Sequence, residues 1–136
     1  MLSKYESYLR FDIKSLGAPT VSSAKLRLFG QLLDTRSINL PTAVYSVSNT
    51  TWTETGITWN NKPTSGTTAL ATVTVTDNVA RFYEWDITAF IQSEKSAGCN
   101  VVALALKGTL SSSPYTFFNS REASSNRPQL VVTVQP

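Results

Sequence analysis

An all-β fold, an antiparallel β-sandwich of jelly-roll-like type with one short helix, is what this sequence predicts, on three observations. Apolar and polar residues alternate with a period of two through most of the chain. The alternating runs are short and are separated by Ser, Thr, Asn, Gly and Pro. Only one stretch, 88–98, has the features of a helix.

In S-Y-L-R-F-D-I (7–13), Leu9, Phe11 and Ile13 face one way and Tyr8, Arg10 and Asp12 the other. L-G-A-P-T-V (16–21) supplies a turn, and S-A-K-L-R-L-F (23–29) repeats the scheme with Ala24, Leu26 and Leu28 inward. Further strands are expected at 43–47, 69–75, 80–87, 101–107, 115–120 and 129–134. Between the fifth and sixth of these eight strands, T-A-F-I-Q-S-E-K-S-A-G carries an apolar stripe at Ala89, Phe90 and Ala97. Gly98 follows it as the C-cap. In R-F-Y-E-W-D-I-T (81–88), Trp85 and Ile87 belong to the core, Asp86 is placed to cap the helix, and Phe82 and Glu84 stay half-exposed.

At 136 residues the chain forms a single domain, 1–136, long enough to bury a core. Composition narrows the chemistry. Histidine is absent, so Ser-His-Asp and Cys-His catalysis and the commonest metal ligand are unavailable. Cys99 is alone, which excludes an internal disulfide and a thiolate cluster, and its setting reads as a half-buried inert thiol. Net charge is +3, but the 12 basic residues are dispersed, so neither a nucleic acid nor a membrane surface is expected as partner. No metal or cofactor is expected, since no calcium-loop spacing occurs and Asp77 and Asn78 read as a turn.

Five segments, in order, carry a resemblance: S-Y-L-R-F-D-I; S-S-A-K-L-R-L-F-G; V-Y-S-V with W-T-E-T-G-I-T-W-N-N-K-P; Y-E-W-D-I-T-A-F-I; and F-N-S-R-E-A-S-S-N-R-P-Q-L-V-V. Together they resemble the DNRLRE-domain family of extracellular carbohydrate-binding modules, whose alginate-binding members bind glycans without cutting them. The resemblance implies a β-sandwich, attached to polysaccharide-degrading enzymes or surface proteins, and a secreted or cell-surface location. Such domains usually begin with a further strand segment ahead of the first matching one.

Trp52 and Trp59 admit two readings. An exposed indole is a good stacking platform for a sugar, but Thr51, Thr53, Gly56, Asn60, Asn61 and Pro63 look like a corner, with Gly56 supplying a positive φ and Glu54 bonding backbone N–H groups. The corner is preferred. Arg121, Glu122 and Arg127 are read as holding the loop before the last strand. Glycoside hydrolysis needs two carboxylates facing one cleft, and Glu54, Glu84, Asp86 and Glu122 each have a local structural explanation, so an enzyme is not expected.

Recognition is expected elsewhere. Should the first two strands pair as a hairpin, Tyr8, Arg10, Lys25 and Arg27 share one solvent face, with Arg36 following in the next loop. Guanidinium and ammonium groups in such a row suit the carboxylates of a polyuronate, and the bland alternative is a solvated face paired with Asp12 and Asp34. The functional expectation is a non-catalytic module binding an acidic polysaccharide such as alginate, monomeric and fused to a catalytic domain. The alternative is a structural or adhesive spacer of a surface protein.

Overall fold

The computed structural model describes residues 6–16, 20–32, 40–53, 55–58, 60–76, 79–108, 116–119 and 123–135. Eight strands run as β1 (Glu6–Asp12), β2 (Thr20–Leu32), β3 (Leu40–Val47), β4 (Ala71–Val75), β5 (Arg81–Asp86), β6 (Val101–Gly108), β7 (Thr116–Phe118) and β8 (Gln129–Gln135). Among the described residues one α-helix, α1 (Thr88–Ser96), joins β5 to β6, and a 3-10 turn at Lys14–Leu16 follows β1. All pairings are antiparallel and form two sheets, one ordered β1-β6-β3-β4 and the other β5-β2-β7, with β8 also on β2. The expected all-β sandwich with one helix is what the chain forms.

β2 organises the second sheet. Its 13 residues reach past β5 on one edge and past both β7 and β8 on the other. A register shift between Val21 and Ser23 bends it against β8, and Ser22 Oγ donates to the Thr133 carbonyl there (3.1 Å).

The alternation expected from sequence sets the core. Ala24, Leu26 and Leu28 of β2, Tyr83 and Trp85 of β5 with Ile87 beyond it, and Val102, Leu104 and Leu106 of β6 are buried. Leu9 and Phe11 pack against them. Trp85 ties the sheets together: fully buried, it sends its indole N–H to the Thr42 carbonyl on β3 (2.9 Å) and meets Phe118 edge-to-face at 5.8 Å.

The helix docks differently from the expected stripe. Ile87 and Ile91, four apart, are buried against the core, Phe90 is half-buried, and Ala89 and Ala97 are exposed. Asp86 Oδ1 accepts from the Thr88 N–H (3.0 Å) and hydroxyl (2.6 Å), so it serves the first helical donor from just outside the helix. At the other end Gly98 has φ +81°, its N–H reaches the Lys95 carbonyl, and the Cys99 N–H reaches the Glu94 carbonyl. That pair of bonds is a Schellman motif.

Candidate functional site

The first sheet has an unusual outer face. Alternation puts Tyr8 and Arg10 of β1, Ala103, Ala105 and Lys107 of β6, and Ala43, Tyr45 and Val47 of β3 on it. Ala43, Ala103, Ala105 and Val47 are buried even so. Part of the cover is the segment that leaves β3, crosses towards β1 and returns. On the outward path Arg10 Nη1 donates to the carbonyls of Thr50 (2.9 Å) and Trp52 (2.7 Å). On the return, Ser65 bridges Val47, the Gly66 N–H bonds the Ser46 carbonyl (2.8 Å) and the Leu70 N–H bonds the Val44 carbonyl (2.7 Å).

Trp52 takes the corner role. Its ring packs on Val47, Ala103 and Ala105, meets Tyr8 edge-to-face at 6.1 Å, and lies 5.3 Å from the Arg10 guanidinium. It covers the sheet, half-buried, with its indole N–H out of solvent. Trp59 and Glu54 lie outside the described residues.

The corner itself is a network of short polar side chains. Asn49 Oδ1 accepts from the Thr51 N–H and hydroxyl, Thr53 Oγ1 accepts from the Gly56 N–H, and Asn61 Nδ2 reaches the Gly56 carbonyl. Thr58 and Asn61 bond each other's N–H reciprocally, as in a capping box. Gly56 does not have the positive φ expected of it; a Cβ there would meet Thr53 Oγ1 at 2.6 Å, so a side chain would push that hydroxyl off its bond to the Gly56 N–H.

Where the cover stops, a groove begins. Tyr8, Tyr45, Lys62, Pro63, Thr64, Ser65, Gly66, Thr67 and Lys107 line a space of about 530 Å³, in the range of ligand sites. Its plan follows from register. Tyr8 and Tyr45 are both partners of Ala105, one on each side, which sets their Cα atoms about 10 Å apart across three strands. Lys107, two residues on from Ala105, lies on the same face; its Nζ donates to Ser65 Oγ (2.6 Å) and sits 5.2 Å from the Tyr45 ring centroid. Two phenol rings and two ammonium groups thus face one concave surface.

The five residues expected to bind a ligand are divided by the fold. β1 and β2 do not pair: Tyr8 and Arg10 are on the first sheet, Lys25 and Arg27 on the second, because β1 pairs β6 while β2 pairs β5, β7 and β8. Tyr8 lines the groove and Arg10 holds the segment beside it. Arg36 and Asp34 lie outside the described residues.

On the second sheet the cations are engaged locally. Arg27 Nε lies 2.8 Å and Lys25 Nζ 3.9 Å from the Glu84 carboxylate, Arg27 Nη1 donates to Gln129 Oε1 (2.8 Å), and the guanidinium lies over the Phe82 ring at 4.1 Å. Asp12, their partner in the alternative reading, accepts from the Lys14 N–H. The groove residues Tyr45, Lys62 and Lys107 were not singled out from sequence. Tyr45 and Lys107 sit in alternating strands and were legible as outward positions; Lys62 is in a loop.

Two of the four candidate carboxylates are used structurally. Glu84 meets Lys25 and Arg27, and Asp86 serves α1, where the Thr88 hydroxyl and N–H hold its carboxyl below the ordinary range. Glu122 and Arg121 lie outside the described residues, while Arg127 Nε donates to the Ala123 carbonyl (2.6 Å) and steadies that loop. The Cys99 thiol is half-buried and pushed up, first by its hydrogen bond to Glu94 and then by burial and the charge of that carboxylate.

A β-sandwich with a shallow groove of aromatic rings and cations has the form of a binding module. Matched over residues 2–134, the chain belongs to carbohydrate-binding module family 96, a non-catalytic class. It is also 27% identical over 131 residues, 94% of its own length, to a gellan lyase of a Bacillus species. The chain spans only 5% of that relative's length. No helix among the described residues is long and apolar enough to cross a membrane.

Proposed function

We propose that this module holds an acidic polysaccharide in the groove on the outer face of the β1-β6-β3-β4 sheet, with alginate the first polymer to test. The carrying observation is the placement of Tyr8 and Tyr45 on either side of Ala105 with Lys62 and Lys107 in the same groove. A phenol ring offers a flat apolar face to the C–H side of a sugar at small entropic cost. An ammonium group on the same wall supplies a point charge for a carboxylate. The parent is proposed to be a secreted or cell-surface protein with a separate polysaccharide-degrading domain, which the likeness to part of a gellan lyase supports.

Affinity electrophoresis in alginate and in gellan gels tests this. The wild-type chain is expected to be retarded at low salt and progressively less as salt rises, since the attraction is between charges that solvent ions can reach. Exchanging Lys62 and Lys107 together for Met should remove most of the retardation; exchanging Lys25 and Arg27 for Met should leave most of it. The reverse ranking places the glycan on the second sheet. No retardation of the wild type at low salt in either gel overturns the acidic-glycan reading and leaves the spacer role.

A further inference from the structure

Arg10 stands in the row of residues expected to contact a ligand, yet its hydrogen bonds run the other way. Its Nη1 carries two hydrogens, and the two carbonyls of Thr50 and Trp52 take both, at 2.9 and 2.7 Å. The guanidinium also covers the Trp52 ring at 5.3 Å. Trp52 in turn touches Tyr8 edge-to-face at 6.1 Å and 72°, and Tyr8 lines the groove while neither Arg10 nor Trp52 does. Register explains the order: Arg10 and Val47 are partners of Ala103, and one step along the face Tyr8 and Tyr45 are partners of Ala105.

One further fact makes this chain of contacts matter. The Trp52 indole N–H is buried and has no hydrogen-bond partner among the described residues. No hydrogen bond of its own orients the ring, so its orientation depends on the alanines beneath it, the guanidinium against it and Tyr8 at its edge. A buried unpaired donor is costly, and such a group survives where surrounding contacts over-determine its position.

We infer that Arg10 is a positioning residue of the glycan groove: it clamps Trp52, and Trp52 holds the Tyr8 ring in its binding orientation. The inference rests on the groove being the glycan site, and it names what sets the groove's affinity besides charge. Lysine cannot replace the clamp, because a compact ammonium on a flexible stem neither presents a planar fork nor stacks as a guanidinium does. A simple charge contact with a carboxylate, by contrast, would survive that exchange.

The variants are Arg10→Lys, which keeps the charge, and Arg10→Met, which removes it; melting curves verify folding. Two readouts are taken. In the ligand-free protein, water exchange of the three indole N–H signals is followed by NMR, with Trp52 assigned through Trp52→Phe. Both Arg10 variants should exchange the Trp52 indole proton about tenfold faster or more, as expected for a local opening made easier. In alginate gels both variants should lose affinity by a similar factor, about tenfold, since the loss is of preorganisation. Combining Arg10→Lys with Trp52→Phe should then cost no more than Trp52→Phe alone.

Unchanged indole exchange in both variants overturns the clamp. So does wild-type affinity in Arg10→Lys with a loss confined to Arg10→Met, which would make Arg10 a charge contact. If the wild-type chain binds neither alginate nor gellan, the glycan reading fails, and the indole exchange still decides the clamp by itself.

Discussion

Single side chains explain more of this domain than their number suggests. Trp85 is the clearest case, because its ring fills the centre of the sandwich and its N–H bonds a carbonyl on the opposite sheet. Trp85→Phe should cost about 2 kcal/mol or more, from the lost volume and the lost bond to a buried carbonyl, read as a lower urea midpoint. Asp86 gives a pH signature. Its folded carboxyl titrates below the ordinary value of 3.8, owing first to the Thr88 hydroxyl and then to the Thr88 N–H. Its contribution to stability is therefore complete above the unfolded value and is lost as pH falls through the lower, folded one. Asp86→Asn should be less stable than wild type at pH 7, with the difference shrinking below about pH 4, as thermal melts across pH 2–7 would show. Cys99, with its thiol raised by Glu94, should react with an alkylating reagent more slowly at pH 8 than a free cysteine does, and Glu94→Gln should speed it.

At the scale of elements, two glycines separate two physical reasons for the same residue type. Gly98 ends α1 at φ +81°, and a Cβ there would meet nothing within 4 Å. Gly98→Ala should thus cost about 1 kcal/mol of purely conformational strain, and Gly98→Asn less, because Asn tolerates the left-handed region. Gly56 has ordinary φ but no room, since a Cβ would fall 2.6 Å from Thr53 Oγ1. Gly56→Ala and Gly56→Asn should both disturb the corner, so Asn rescues at one position only; melting temperatures of the four variants check this. Helix α1 shows how local pattern misleads. Ala89, Phe90 and Ala97 form a stripe when 88–98 is read alone, but the buried pair is Ile87 and Ile91, with Ile87 just ahead of the helix. The choice was made by the β5 direction, which delivers Ile87 inward after Trp85.

Across the whole molecule, the two sheets divide the charged residues into separate neighbourhoods. The groove cation Lys107 and the cations Lys25 and Arg27 stand on different sheets, so the stability effects of removing Lys62 with Lys107 and Lys25 with Arg27 should add within about 0.5 kcal/mol. Eight strands, their inward and outward residues, the helix and its glycine cap were legible in the sequence, because alternation and turn chemistry are local and each strand reports its own buried face. The corner role of Trp52 was legible too, from the small polar residues around it. Strand partnership was not. Tyr8, Arg10, Lys25 and Arg27 look alike as outward residues, and nothing in two adjacent strands states that one joins β6 and the other β5, β7 and β8. The sequence by itself determined the sandwich, its core positions and its class as a carbohydrate-binding module; only the tertiary structure decided which charges meet. Pairing Tyr8 with Tyr45 across Ala105, and Lys25 with Glu84, joins residues far apart in the chain, and such contacts are set by how all the buried faces pack together.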